Sequence, residues 1–466
     1  MKSRRHIARL IAASALVLGA GVVATPGGIA SVQAAPCTLC GGGEFHPLTP
    51  TRVFDSRPGL AVNDVAPAGV KPMAAPEPAT FNVSLLGKGG IPPEAASVLA
   101  VVVNITVTEP TADGYLEAYG KGAQPAEHTS IINFGPGQTV PNVAIVRPGT
   151  DGELTVGLRA LGGTANVLID VFGWFSTSAY IGTDGARLIP TTPSRILDTR
   201  DGTNRAPAGP LGPGETMTLQ ILGADGVGPA VTDVVPATGV TGVLLNVVGI
   251  TNEAGGAATH ISLFPNDIGG VAPATSNLNL AANVIKANLV FVPVGTDGKV
   301  RIFNDAGRTQ VVADVVGYML GGQAEPTRQG RVVPLTSPYR TFDTRQPLFG
   351  GVALGPGQAE DWSFADFASS VFIGSASVGA QAGVIGNLTS ADLKRQYPSQ
   401  PAQSYLTAYP SDAQRPTSSN LNTIEGVAIP NMAVFKYGAN ATVRVYNNAG
   451  STQYLFDAAA VILANA

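Results

Sequence analysis

Charge is what this chain lacks most. Only 13% of its 466 residues are Asp, Glu, Lys or Arg, about half the usual quarter. Lysine is scarce, the net charge is −4 and no basic stripe exists, so the electrostatic footprint of a nucleic-acid binder is missing. Histidine is nearly absent too. His6 lies in the N-terminal segment, leaving His46, His128 and His260 at unrelated places. Neither H-E-x-x-H nor G-x-S-x-G occurs. Gly87-Lys-Gly-Gly90 lacks the Lys-Ser/Thr ending of a phosphate loop. No catalytic residue, metal ligand set or cofactor motif is therefore assigned.

Long apolar runs are confined to the N-terminus. Lys2, Arg4, Arg5 and Arg9 precede an apolar stretch from Leu10 to Val23, and Val32-Gln33-Ala34 supplies a small-residue site. This is the pattern of an export signal, residues 1–34, with cleavage expected between Ala34 and Ala35. No other stretch reaches 18 uninterrupted apolar residues, so no membrane span is expected after cleavage. The only cysteines are Cys37 and Cys40, inside a Gly-rich tail, 35–44, expected to be mobile. Outside the cytoplasm the simplest state of such a pair is a small-loop disulfide. A C-x-x-C redox pair is the sharper reading, but that motif belongs at a helix start.

What the chain has in plenty is glycine (57), proline (36) and β-branched residues. Short Val-rich runs such as Val101–Val103 are bounded by turn residues roughly every ten positions. The period is two, not 3.6, which predicts antiparallel strands. One helical turn is expected, near Pro93-Glu-Ala-Ala.

The strands fall into three copies of one unit. The openings are Pro50-Thr-Arg52-Val-Phe-Asp55-Ser-Arg57, Pro193-Ser-Arg195-Ile-Leu-Asp198-Thr-Arg200 and Pro338-Tyr-Arg340-Thr-Phe-Asp343-Thr-Arg345. Further landmarks keep their order: Asn104, Asn246, Asn387; then Ser130 to Asn133, Ser276 to Asn279, Ser419 to Asn422; then Asn142, Asn288, Asn431. Thr-Asp-Gly hairpins end at Gly152 and Gly298, and the closing elements begin at Asp170, Asp314 and Asp457. The reading is all-β: three tandem antiparallel β-sandwich, jelly-roll-like units of about eight strands at 45–176, 187–320 and 331–466, joined by linkers 177–186 and 321–330. Each copy repeats a whole strand set, so each is expected to fold alone, the rival being a fused trimer around a pseudo-threefold axis.

In each opening an extended chain places Asp55 and Arg57 on one face and Arg52 on the other. The aspartate then holds the second arginine or caps the turn. Two readings stay open for Arg52, Asp55, Arg57, Arg195, Asp198, Arg200, Arg340, Asp343 and Arg345: an ionic clamp required by the fold, or a pocket for an anionic or sugar ligand. The strand asparagines, set in apolar runs, are expected to hold neighbouring backbone. Tyr115, Tyr119, Tyr405 and Tyr409 read either as half-buried strand residues or as a sugar-binding face.

The repeated opening, the Val-Asn-Ile-Thr strand, the Thr-Asp-Gly hairpin and the Asp-Val-x-Gly-[Trp/Tyr] ending resemble a repeat of secreted proteins from high-GC Gram-positive bacteria. There it stands in tandem or is attached to cell-wall hydrolases. Export, tandem β units, low charge and the lack of a catalytic set point to a secreted, non-enzymatic surface protein, structural or binding, extracellular or cell-wall associated, its partner a cell-wall glycan or another surface protein. The alternative is a glycan-active hydrolase with a carboxylate pair. The third copy departs from the pattern at Asp457-Ala-Ala-Ala and lacks the Asp-Gly hairpin.

Overall fold

The computed structural model describes residues 41–57, 79–125, 128–160, 162–205, 207–227, 231–269, 272–273, 275–322, 327–373, 376–395, 398 and 402–465. The expected signal segment, Cys37 and Cys40 lie outside the described residues. Among the described residues no helix is long and apolar enough to cross a membrane.

The first unit contains β1 (Phe45–Asp55), β2 (Ala79–Ser84), β3 (Val98–Thr108), β4 (Gly114–Gly120), β5 (Ile132–Phe134), β6 (Val140–Val146), β7 (Glu153–Ala160) and β8 (Asn166–Ser176). They form two antiparallel sheets, in the orders β1-β8-β3-β6 and β2-β7-β4-β5, which is jelly-roll winding. The second unit repeats both orders, and the third does so with a small extra hairpin and one short helix, Ala365–Ser370. The expected helical turn is a 3-10 turn at Ala95–Ser97. Gly152 and Gly298 sit at φ of 76° and 79° in their hairpins, a conformation that costs glycine nothing. In the third unit Asn440 and Ala441 take the left-handed turn instead.

Each unit has its own apolar core between its two sheets. On β3, Val101, Val103, Ile105 and Val107 belong to that core, whereas Ala100 and Val102 point the other way. They enter a fourth core built from all three units, with Phe45, Phe172, Leu244, Phe291, Met319, Ile385, Met432 and Ile462. The inner sheets thus pack back to back around a pseudo-threefold axis. Their edge strands β6, Ile285–Pro293 and Ile429–Lys436 touch one another there. This is the fused-trimer arrangement, the rival of the expectation that each unit is self-sufficient. Both faces of each inner sheet are buried, so neither face is left for solvent.

The axis closes at one end through the first residues of the units. Phe45 pairs with Ala186, joining the inner sheets of the first two units into one of eight strands. Gly43 bridges to Val332. Glu44 Oε1 accepts from Arg331 Nη2 at 3.1 Å and from Arg187 Nε and Nη2 at 3.4 Å. One carboxylate is thereby held by an arginine from each of the other units. The end of the tail expected to be mobile is consequently built into the trimer joint.

Candidate functional site

The opening motif forms the same clamp three times. Arg52 grips Asp170 with two hydrogen bonds, Nε to Oδ1 at 2.8 Å and Nη2 to Oδ2 at 3.1 Å, and gives Nη1 to Asp55 Oδ2 at 3.2 Å. Arg195 holds Asp314 at 2.9 Å and Asp198 at 3.3 Å; Arg340 holds Asp457 at 2.8 Å and Asp343 at 3.6 Å. The opening arginine is therefore tied to the closing aspartate of its own unit, because the first and eighth strands are neighbours. Arg52 shares a side with Asp55 rather than opposing it. A bulge between Arg52 and Phe54 resets the alternation, as an extra residue in a ladder does.

The motif aspartates fulfil both expected roles at once. Asp55 Oδ1 accepts from the backbone N–H of Arg57 at 3.0 Å, while Arg57 Nη2 reaches Oδ2 at 2.7 Å. Arg200 and Arg345 make the same contacts with Asp198 and Asp343, each Nη2 at 2.6 Å. One clamp also reaches across a unit boundary: Arg340 Nη2 donates to the His128 carbonyl at 3.3 Å. The geometry is that of a clamp: two carboxylates are sewn to one guanidinium under the surface. The void beside Asp457 measures about 20 Å³, room for a water and little more.

Burial alone would raise Asp55, Asp198 and Asp343, but the hydrogen bonds and charges of Arg57, Arg200 and Arg345, with those of the opening arginines, hold them below the ordinary carboxylate value. Asp170 and Asp314 go the other way, since burial pushes them up further than Arg52 and Arg195 draw them down. A carboxylate with a lowered folded pKa adds stability that is whole above 3.8 and fades as pH falls through the folded value. Asp314 has the opposite sign and favours folding as pH drops. Asp198→Asn is accordingly expected to melt below wild type at pH 6 and to converge with it below pH 3.8. Melting curves that stay parallel down to the most acid buffer would contradict the assignment.

The strand asparagines do hold backbone, but that of the next unit. Asn104 Nδ2 donates to the Ser276 carbonyl at 3.1 Å, Asn246 to that of Ser419, and Asn387 to that of Ser130 at 2.7 Å. The direction runs from the first unit to the second, the second to the third and the third to the first. A second set reinforces it: Asn142 Nδ2 reaches Asn387 Oδ1 and Asn431 Nδ2 reaches Asn246 Oδ1, both at 2.9 Å. At the remaining joint Asn104 Oδ1 and Asn288 Oδ1 are buried without a hydrogen-bond partner.

Beyond this belt, at the end of the axis away from Glu44, lies a cavity of about 470 Å³. The strands separating it from the Glu44 end span about 20 Å. All three units line it at equivalent positions. Asn133, Asn279 and Asn422 are the last residues of the Ser-x-x-Asn landmarks, and each is half-buried. On the following strand Val140, Lys286 and Ile429 occupy one equivalent position, two residues before Asn142, Asn288 and Asn431. Alternation sends Ile132 and Phe134 into their own unit's core, leaving Asn133 between them on the other side. Pro136 to Thr139, Ala281 and Val427 form an exposed rim. Asn279 Oδ1 accepts from Ser276 Oγ at 2.9 Å, and Asn422 Oδ1 is buried and unpartnered.

None of the nine motif residues lines this cavity, and neither do the four tyrosines. Tyr119 and Tyr409 are buried; Tyr115 and Tyr405 are half-buried. The cavity residues were visible in the sequence only as repeat landmarks. Their convergence depends on how units pack, which no single unit's periodicity records.

No family model and no curated protein matches the chain. Among solved structures it is similar to the triple jelly roll chain of a turret assembly in an archaeal virus, at 9% identity over 89% of this chain and 91% of that one, with a TM-score of 0.17. It is also similar to a tandem CBM22 domain from Paenibacillus barcinonensis Xyn10C, at 11% identity over 61% of this chain and 98% of that one, with a TM-score of 0.16. At these scores neither lends this chain a function.

Proposed function

We propose that the protein is a non-enzymatic binding protein of the cell exterior, built as a single-chain trimer, whose ligand site is the axial cavity and whose ligand is cell-wall polysaccharide. The observation that carries this reading is the cavity itself, lined at equivalent positions by all three units. Its volume falls within the roughly 300–1,000 Å³ of small-molecule sites, and its apolar walls with a few convergent amides have their usual character. Amide groups both donate and accept, which suits a hydroxyl-rich ligand. The export signal expected from the sequence and the resemblance of the repeats support a ligand outside the cell. A hydrolase would need two carboxylates at the site. The cavity lining has none, and the aspartate pairs of the clamps are committed to arginines.

The test is retention on purified cell wall. The mature chain should be retained, and Asn279→Trp, which fills the cavity with an indole, should pass through while melting as wild type does. Equal retention of the two proteins, or of neither, would overturn the reading.

A further inference from the structure

We infer that the axial cavity selects a ligand carrying a single negative charge, a carboxylate on a glycan, and that Lys286 is its counter-ion; this rests on the cavity being the binding site. The argument begins from symmetry. Around the axis the three units repeat one another: three asparagines at one level, and at the next Val140, Lys286 and Ile429. Two of those three positions are aliphatic, as an edge strand entering an apolar core requires. The third is a cation. Lysine is the less favourable residue there, because a half-buried ammonium loses part of its hydration without gaining a partner.

No partner is present among the described residues. The Lys286 side chain forms no ion pair or hydrogen bond with a described residue, and the lining contains no Asp or Glu. The other titratable group in the lining is His260, whose Nδ1 lies 3.6 Å from Asp305 Oδ2. Burial draws the Lys286 ammonium down to about 8, with no neighbouring charge holding it up. A half-buried, unopposed cation in the cavity wall is the complement of an anion, and a bound carboxylate would supply the missing charge. The amides of Asn133 and Asn422 make no side-chain contact that would occupy their N–H groups, so they remain to meet the ligand's oxygens. The charge count favours a monoanion. One lysine and no arginine line the cavity, whereas a phosphomonoester brings about 1.5–2 negative charges. A carboxylate and a phosphodiester both satisfy the count. The exported setting and the amide ring favour the sugar acid.

The experiment is calorimetry on the full mature chain with a glucuronic-acid disaccharide, its carboxyl-reduced neutral counterpart and a glycerol phosphodiester. Wild type should bind the acid at least about tenfold more tightly than the neutral sugar, as one charge-assisted contact provides. Lys286→Met should bring the acid down to the level of the neutral sugar, and Lys286→Arg should restore part of the difference. Equal binding of acid and neutral sugar by wild type, an unchanged preference in Lys286→Met, or binding of neither sugar overturns the inference. Preference for the phosphodiester overturns the carboxylate assignment. In all these cases the cavity reading stands or falls separately, on whether Asn279→Trp abolishes retention on cell wall.

Discussion

The second unit expressed alone, residues 187–320, is expected to trimerise or precipitate rather than yield a folded monomer. Its inner sheet would expose Leu188, Leu244, Leu289, Phe291, Val316 and Met319, all of them buried in the shared core. At about 1.5–3 kcal/mol for each large apolar side chain, the missing burial is on the order of 10 kcal/mol. That matches the whole net stability of an ordinary domain, about 5–15 kcal/mol. The buried amides add to the deficit, since Asn246 and Asn288 would lose the environment of the neighbouring units. Three copies of the one unit could rebuild the axis, because donor and acceptor belong to the same repeat. Light scattering on the purified unit distinguishes the outcomes, and a stable monomer with a cooperative melt would show that the shared core is not needed.

Arg195→Ala is expected to cost about 3–5 kcal/mol, the range for removing one partner from a buried ion pair. Arg195 leaves behind Asp314, whose side chain is 0% exposed, and removes one of the two arginines on Asp198. Arg200→Ala should cost less, because Arg200 is half-exposed and Asp198 would keep Arg195. Chemical denaturation measures both. An Arg195→Ala midpoint equal to wild type, with ligand binding lost, would instead make the motif a binding pocket.

Much of this was legible in the sequence, and the misses share a cause. Strand period, turn residues and repeat landmarks are local, so the all-β units, the Gly152 and Gly298 hairpins and the turn at Ala95–Ser97 followed from them. The Arg-Asp-Arg opening was found, but not its tie to Asp170, Asp314 and Asp457, since that pairing links the first strand to the eighth. Strict alternation puts Arg52 on the wrong side, because it cannot register the bulge between Arg52 and Phe54. The shared core did leave a signal. Val101-Val-Val and Val243-Leu-Leu do not alternate with polar residues, and a strand with two apolar faces is buried on both. Read that way, the six landmark asparagines become the polar seam of a trimer. Lys286 was equally readable as a cation where the other copies carry Val140 and Ile429, yet its meaning depends on the axis.

The third unit shows how the architecture tolerates drift. It lacks the closing aromatic of the other copies, and its core is filled from elsewhere. Phe342 stacks on Trp362 at 4.3 Å and Phe435 on Phe456 at 4.4 Å. Phe367 of the short added helix is buried against the same cluster. Asp457 and both asparagines of the seam remain, so the clamp and the inter-unit joints persist although the hairpin chemistry has changed.

The central claim is that three repeats form one body whose axis carries the site. Amide hydrogen exchange of the intact mature chain tests it most directly, following Val98–Thr108, Val240–Ile250 and Gln381–Lys394 as denaturant is raised. These are the three inner strands that carry Asn104, Asn246 and Asn387. One body predicts that all three are protected to the same degree and lose protection together at a single denaturant concentration. Three separate opening transitions, each confined to one repeat while the other two stay protected, would contradict it.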